Sequence, residues 1–310
     1  MKRKVSRIGP STLMVSLPSK WVKEYHISAG DELEINEEGP TIKVSKGTIK
    51  KGKTAEIRLS PENERYVRSY LGRLYRHGFT EIKISFSGSS LIKAIKKAVI
   101  NMMGADITEI EENKCVIKIF PIEEEAIDFD KSIIKMIQTA RYLMKIYQED
   151  IQDGKFKRIE EIRELRDNNW KIKDYLIRNL YLNNKGLESI DPLNIILYNI
   201  EKIGTKILNF YDAYFKDKTY KKLNAKQLER PFKKIDYFLS QFVKFLSGNK
   251  LSFEEESSFR KEIIAEHSFL FDKLSKEKDM DPVIIILLFS IEESIHSSVS
   301  FMQQYLELNL

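Results

Sequence analysis

The chain has 310 residues, 42% apolar and 32% charged, with a formal net charge of +6, which is long enough for two or three domains with buried cores. Its longest purely apolar run, Val283 to Phe289, falls far short of the ~20 residues a membrane span needs, so no membrane insertion is expected. A lone cysteine, Cys115, excludes an internal disulfide and any multi-cysteine metal knuckle. Met1, Lys2, Arg3 and Lys4 open the chain, but no apolar segment follows them. Secretion is therefore not expected, and the cytoplasm is the expected compartment.

The charge is unevenly placed. Residues 1 to 60 hold twelve Lys/Arg against seven Asp/Glu, and residues 1 to 23 hold six basic side chains and no acid. Such a run attracts a polyanion through counterion release, or it guards a strand edge against unwanted pairing. Charge alone leaves both readings open.

Period-two alternation predicts short strands in the first 46 residues: Leu13, Val15 and Leu17 share one face, as do Leu33 with Ile35 and Ile42 with Val44. Pro18 to Tyr25 predicts one or two helical turns, and Gly30-Asp31 a tight turn. So small a meander buries little apolar area alone and should need a second copy. Thr54 to Leu59 then reads as a strand, Ser60-Pro61 as the start of a helix with Glu62 and Glu64 in its first turn, Thr80 to Ser87 as a strand and Leu91 to Met103 as a helix. Asp106 to Glu111 and Lys114 to Phe120 form an expected hairpin.

From Ile122 onward the period is 3.6. Breaks at Asp153-Gly154, Asn183 to Gly186, Lys216 to Leu223, Ser247 to Leu251 and Lys276 to Asp281 mark six long helices. "DPLNIILYNIEKIG" from Asp191 and "DPVIIILLFSIEES" from Asp281 open alike, each reading as an Asp cap with Pro in the first turn. Their 90-residue offset predicts tandem three-helix bundles. The fold expected is multi-domain α+β, with boundaries at 1–47, 48–121 and 122–310.

"GTIKKGKT", Gly47 to Thr54, fits the phosphate-loop pattern, but that loop works only when a helix follows, and "AEIRLSP" alternates like a strand. The four histidines are scattered and no nucleophile elbow is present. No enzymatic function is expected. Glu160, Glu164 and Asp167 share one helical face, and Glu292 with His296 has the i, i+4 spacing of a metal-ligand pair. Charge-rich helices produce such spacings by chance, and a solvated face is the better account of them.

Arg7-Ile8-Gly9-Pro10-Ser11, Val15-Ser16-Leu17-Pro18 and Gly30-Asp31-Glu32-Leu33 resemble the swapped-hairpin DNA-binding domain of the AbrB, MazE and SpoVT type. That resemblance implies a dimeric β-barrel made from interleaved hairpins of two chains. It implicates Lys2, Arg3, Lys4, Arg7, Ser11 and Lys20 in DNA contact, the cations on phosphates or guanine edges and Ser11 as a donor to phosphate.

"EKIGTKILN", with Glu201, Ile203, Gly204 and Asn209, resembles the signature helix of the phosphate-uptake regulator PhoU. Thr205 stands where that family has Asp, and His296 where the second copy would have it. The resemblance implies a divalent metal on the helical bundles near Glu201, Glu292 and His296, and a link to phosphate homeostasis. Together the two resemblances imply a cytoplasmic, DNA-binding transcription regulator. The alternative is a scaffold that binds a phosphate transporter or sensor kinase and uses its N-terminal domain only to dimerise.

Overall fold

The computed structural model describes residues 3–10, 12–38, 41–46, 53–122, 128–182, 187–217, 225–247, 252–276 and 286–298. It divides into two compact units, Met1–Gly52 and Lys53–Leu310. In the first unit, β1 (Ser6–Arg7) pairs antiparallel with β2 (Leu13–Met14), α1 (Ser19–Glu24) follows, and β3 (Leu33–Glu38) pairs antiparallel with β4 (Thr41–Lys46). Pro18 caps α1 in extended backbone, as its fixed φ suits. Gly30 turns the chain towards β3 with φ +95°, a conformation an L side chain resists. Around it Asp31 N–H donates to the Ser28 carbonyl and Ser28 N–H donates to Asp31 Oδ2.

In the second unit β5 (Lys53–Leu59), β6 (Phe79–Phe86), β7 (Ala105–Ile110) and β8 (Lys114–Ile119) form one sheet in the order β5-β6-β8-β7. β5 and β6 run parallel, whereas β8 is antiparallel to both neighbours. The parallel pair requires a crossover, and α2 (Val67–Arg76) supplies it. α3 (Ser89–Val99) packs beside α2. Leu71, Tyr75, Ile82, Ile84, Leu91, Ile95 and Ile117 make the core of this part. The helix expected to start at Pro61 is a 3-10 turn over Pro61–Tyr66, and the α-helix begins only at Val67. Thr54 itself belongs to strand β5 and no helix starts there, so the arrangement a phosphate loop needs is missing.

The remaining helices are α4 (Phe129–Asp153), α5 (Ile159–Leu182), α6 (Leu187–Asp217), α7 (Ala225–Leu246), α8 (Phe253–Lys276) and α9 (286–298). Asp128 caps α4 by accepting from Lys131 N–H, and Gly154 ends it with φ +65°, as the Asp153-Gly154 break suggests. One continuous apolar cluster joins all six, running from Ile137 and Leu143 through Leu176 and Ile200 to Phe238, Phe242, Ile263 and Ile295.

The capping expectation at Asp191 is overturned. α6 starts at Leu187 and runs through a buried Pro192. Proline six residues into a helix lacks the N–H that would meet the Glu188 carbonyl, a cost local to the first turns, which the apolar residues Leu193, Ile196, Leu197 and Ile200 offset by burial. The matching segment at residues 281–285 lies outside the described residues.

α2 also packs on α5. The approach is close because residue 72 is glycine: a Cβ there would lie 3.3 Å from Arg76 Nη1 and 3.4 Å from Asp174 Oδ2. Arg76 and Asp174 pair at 3.0 Å in that contact, and Arg178 of α5 donates to the carbonyls of Tyr75 and Phe79.

Candidate nucleic-acid interface

Among its described residues the first unit shows no core of its own. None of its described residues is buried, and Val5, Ile8, Leu13, Met14, Val15, Ile35 and Ile42 are between 48% and 64% exposed. Leu33, Ile35, Ile42 and Val44 line up on one face of the β3–β4 hairpin, since Ile35 faces Val44 and the side-chain period is two. An apolar face of this kind stays in water only at a cost that burial against a second surface removes.

The cations of this unit lie on β1, on α1 and in the segment before β1. Arg7 sits on β1 opposite Leu13, just before the turn closed by Ile8 N–H donating to the Thr12 carbonyl. Arg3 Nη1 donates to Ser16 Oγ at 3.4 Å, which ties the chain start to the stretch after β2. Lys4 is exposed and so is Lys20, on α1. Lys2 and Ser11 lie outside the described residues. Sequence reasoning passed over Lys23, which is exposed three residues after Lys20 on the same short helix; the i, i+3 spacing was the available signal. Among the described residues none of these cations has an acidic partner, so their charge faces solvent and is open to an anionic ligand.

The candidate metal residues have different surroundings. Glu201 is buried, lies 3.7 Å from Lys173 Nζ and accepts from Thr205 Oγ1 at 2.7 Å. Glu292 is fully buried, and neither carboxylate oxygen has a hydrogen-bond partner. Burial, reinforced by Glu266 and opposed by Arg230, pushes its carboxyl up to about 8. His296, one turn on, is exposed and faces the His267 ring at 6.3 Å. Among the described residues no three His, Cys, Asp or Glu side chains are grouped to hold a metal ion. Burial also pushes the Cys115 thiol up to about 11, so it is a poor nucleophile at neutral pH. No described helix is long and apolar enough to cross a membrane.

Comparison with protein families matches residues 7–54 to the model described as "Antidote-toxin recognition MazE, bacterial antitoxin". The matched stretch holds Arg7, Lys20, Lys23, the β3–β4 hairpin and all of the β1–β2 pair but Ser6. Neither the curated proteins nor the solved structures yield a match.

Proposed function

We propose that this protein is a homodimeric DNA-binding regulator whose first unit grips the duplex and whose helical region receives a signal. The carrying observation is the acid-free set Arg3, Lys4, Arg7, Lys20 and Lys23, exposed without acidic partners among the described residues on a β-hairpin unit that the MazE model matches. The exposed apolar face of the same unit supports a dimer, because a second copy of the hairpins would cover Leu13, Val15, Ile35 and Ile42. Phosphate status as the signal rests on the likeness of Glu201, Ile203, Gly204 and Asn209 to the PhoU signature helix. No enzymatic activity belongs to this reading.

Salt dependence tests it. Each cation that neutralises a phosphate steepens the fall of log K with log salt by ~0.9. Replacing Arg3, Lys4 and Arg7 with alanine should flatten that slope by roughly 2–3. Absence of binding to duplex DNA at low salt would defeat the proposal. Sedimentation gives a second expected result: the full chain runs as a dimer, and Leu13→Asp with Ile35→Asp shifts it to monomer. A chain that is monomeric at every concentration would remove the dimer.

A second reading, an antitoxin-type regulator that also binds a small toxic protein, is favoured only by the description of the matched family. Copurification of a small protein encoded beside it would support that reading.

A further inference from the structure

The second unit is nearly balanced in charge as a whole, but one stretch of it is as lopsided as the start of the chain. Between Glu64 and Asp106 the sole acidic residue is Glu81, against eight Lys and Arg. Glu81 lies on β6 with its carboxylate 3.7 Å from Lys83. α2 and α3 themselves contain no acid.

The cations fall into two groups. Arg68 and Arg76 turn towards α5, where Asp167 and Asp174 pair with them at 3.1 and 3.0 Å. Arg73, Lys93, Lys96 and Lys97 are exposed instead. On α2 the exposed positions are Ser69, Tyr70, Arg73 and, just past its end, His77; on α3 they are Lys93, Lys96, Lys97 and, one residue beyond, Ile100. Both sets follow the i, i+3, i+4 spacing of a single helix face. The two helices pack side by side, so the stripes lie on neighbouring elements. Among the described residues Arg73, Lys93, Lys96 and Lys97 have no acidic partner.

Helix dipoles do not account for this. Arg73, Lys96 and Lys97 stand near C-terminal ends, where cations are favoured, but the same field favours acids in the first turn. α4 and α5 have them, Asp130 in one and Glu160 with Glu161 in the other, whereas α2 and α3 have none. Lys93 lies in the middle of its helix. A soluble surface usually mixes signs to limit self-repulsion, and this layer does not.

We infer that the outward layer formed by α2 and α3 is a second contact surface for the phosphate backbone of double-stranded DNA. The inference rests on the DNA-binding reading above and extends it: the chain holds a duplex at two places. Arg73, Lys93, Lys96 and Lys97 neutralise phosphates, and the hydroxyl of Tyr70, 39% exposed, donates to a backbone oxygen. Nothing in the layer reads base edges, so this contact adds affinity and salt sensitivity without sequence preference. An anionic membrane is the weaker candidate, because Ile100 is the lone large apolar side chain exposed on the α3 stripe, and interfacial helices need a broad apolar face.

The test uses the full-length chain and a mixed-sequence duplex, with binding followed by fluorescence anisotropy over a salt series. Lys93→Gln, Lys96→Gln and Lys97→Gln together should flatten the slope of log K against log salt by roughly 2–3. The independent pair Arg73→Gln and Lys93→Gln, one change per helix, should flatten it by roughly 2. Far-ultraviolet circular dichroism and the urea midpoint check that both variants are folded. Wild-type slopes in both folded variants would overturn the inference and leave the first unit's role intact. If the wild type binds no DNA at low salt, the broader reading falls with it. Loss of binding to phosphatidylserine vesicles with unchanged DNA binding would assign the layer to a membrane and overturn the DNA assignment.

Discussion

Replacing Asp174 with alanine should cost about 3–5 kcal/mol of stability, because it strands charges that the fold has already taken out of water. Lys173 is 2% exposed. Its ammonium lies 3.4 Å from Asp174 Oδ1 and 3.7 Å from Glu201 Oε2, between the rings of Trp170 and Tyr198. Burial depresses its pKa, and Asp174 is the larger of the two carboxylates that oppose the shift. Asp174 also pairs with Arg76 and accepts from Trp170 Nε1 at 3.0 Å, so one side chain joins α2 to α5 and holds the indole. In the variant Lys173 keeps only Glu201. The deficit should shrink towards alkaline pH, where the folded protein releases the Lys173 proton before the unfolded chain does, so that stability rises with pH. Asp174→Asn, which keeps the acceptor for Trp170 and loses the charge, should fall between the two. Urea denaturation of the three proteins measures this, and an alanine variant within about 1 kcal/mol of wild type would show that Arg76 and Lys173 are not held by this carboxylate.

Glu292→Gln should act in the opposite direction. Glu292 is fully buried on α9, with Glu266 adding repulsion and Arg230, which grips Glu266 at 2.8 Å, easing it. A carboxyl raised from 4.5 to about 8 keeps its proton in the folded state across an interval in which the unfolded chain has lost it. The folded state then binds more protons, so stability falls as pH rises through that interval and levels off above it. The expected loss is on the order of 4–5 kcal/mol. Glutamine keeps the shape and has no charge to desolvate. The variant should match wild type near the lower limit and exceed it at pH 8 and above, as read from urea midpoints across the range. Parallel pH profiles for the two proteins would mean that Glu292 ionises in the fold without penalty.

Much of the local architecture was legible because it depends on short-range periodicity and turn chemistry. The alternation of Ala55, Ile57 and Leu59 placed β5, and Glu112-Asn113 lies in the turn that joins β7 to β8. Gly154 closes α4 where the Asp153-Gly154 pair suggested. The reading failed at Asp191, whose Asp-Pro pair has the chemistry of a helix start. Burial of the residues beyond it decides between cap and interior, and burial is not a local property. Lys173, Asp174 and Arg178 were missed for the same reason. In sequence they look like an ordinary charged helix face, and only the approach of α2 over Gly72 and of α6 with Tyr198 and Glu201 removes them from water.

The first 46 residues determined by themselves that a small hairpin unit with an acid-free basic stretch over residues 1 to 23 opens the chain, since charge count and alternation survive any arrangement of the remainder. They also determined that such a unit exposes apolar surface, because too few residues are present to cover it. Which cations stay free was decided by tertiary structure alone. Arg68 and Arg76 are absorbed by carboxylates about a hundred residues away in sequence, while Arg73, three residues from one of them, is left to solvent. The reason is geometric: an α-helix turns successive side chains by about 100°, so a neighbouring helix takes one face and leaves the next.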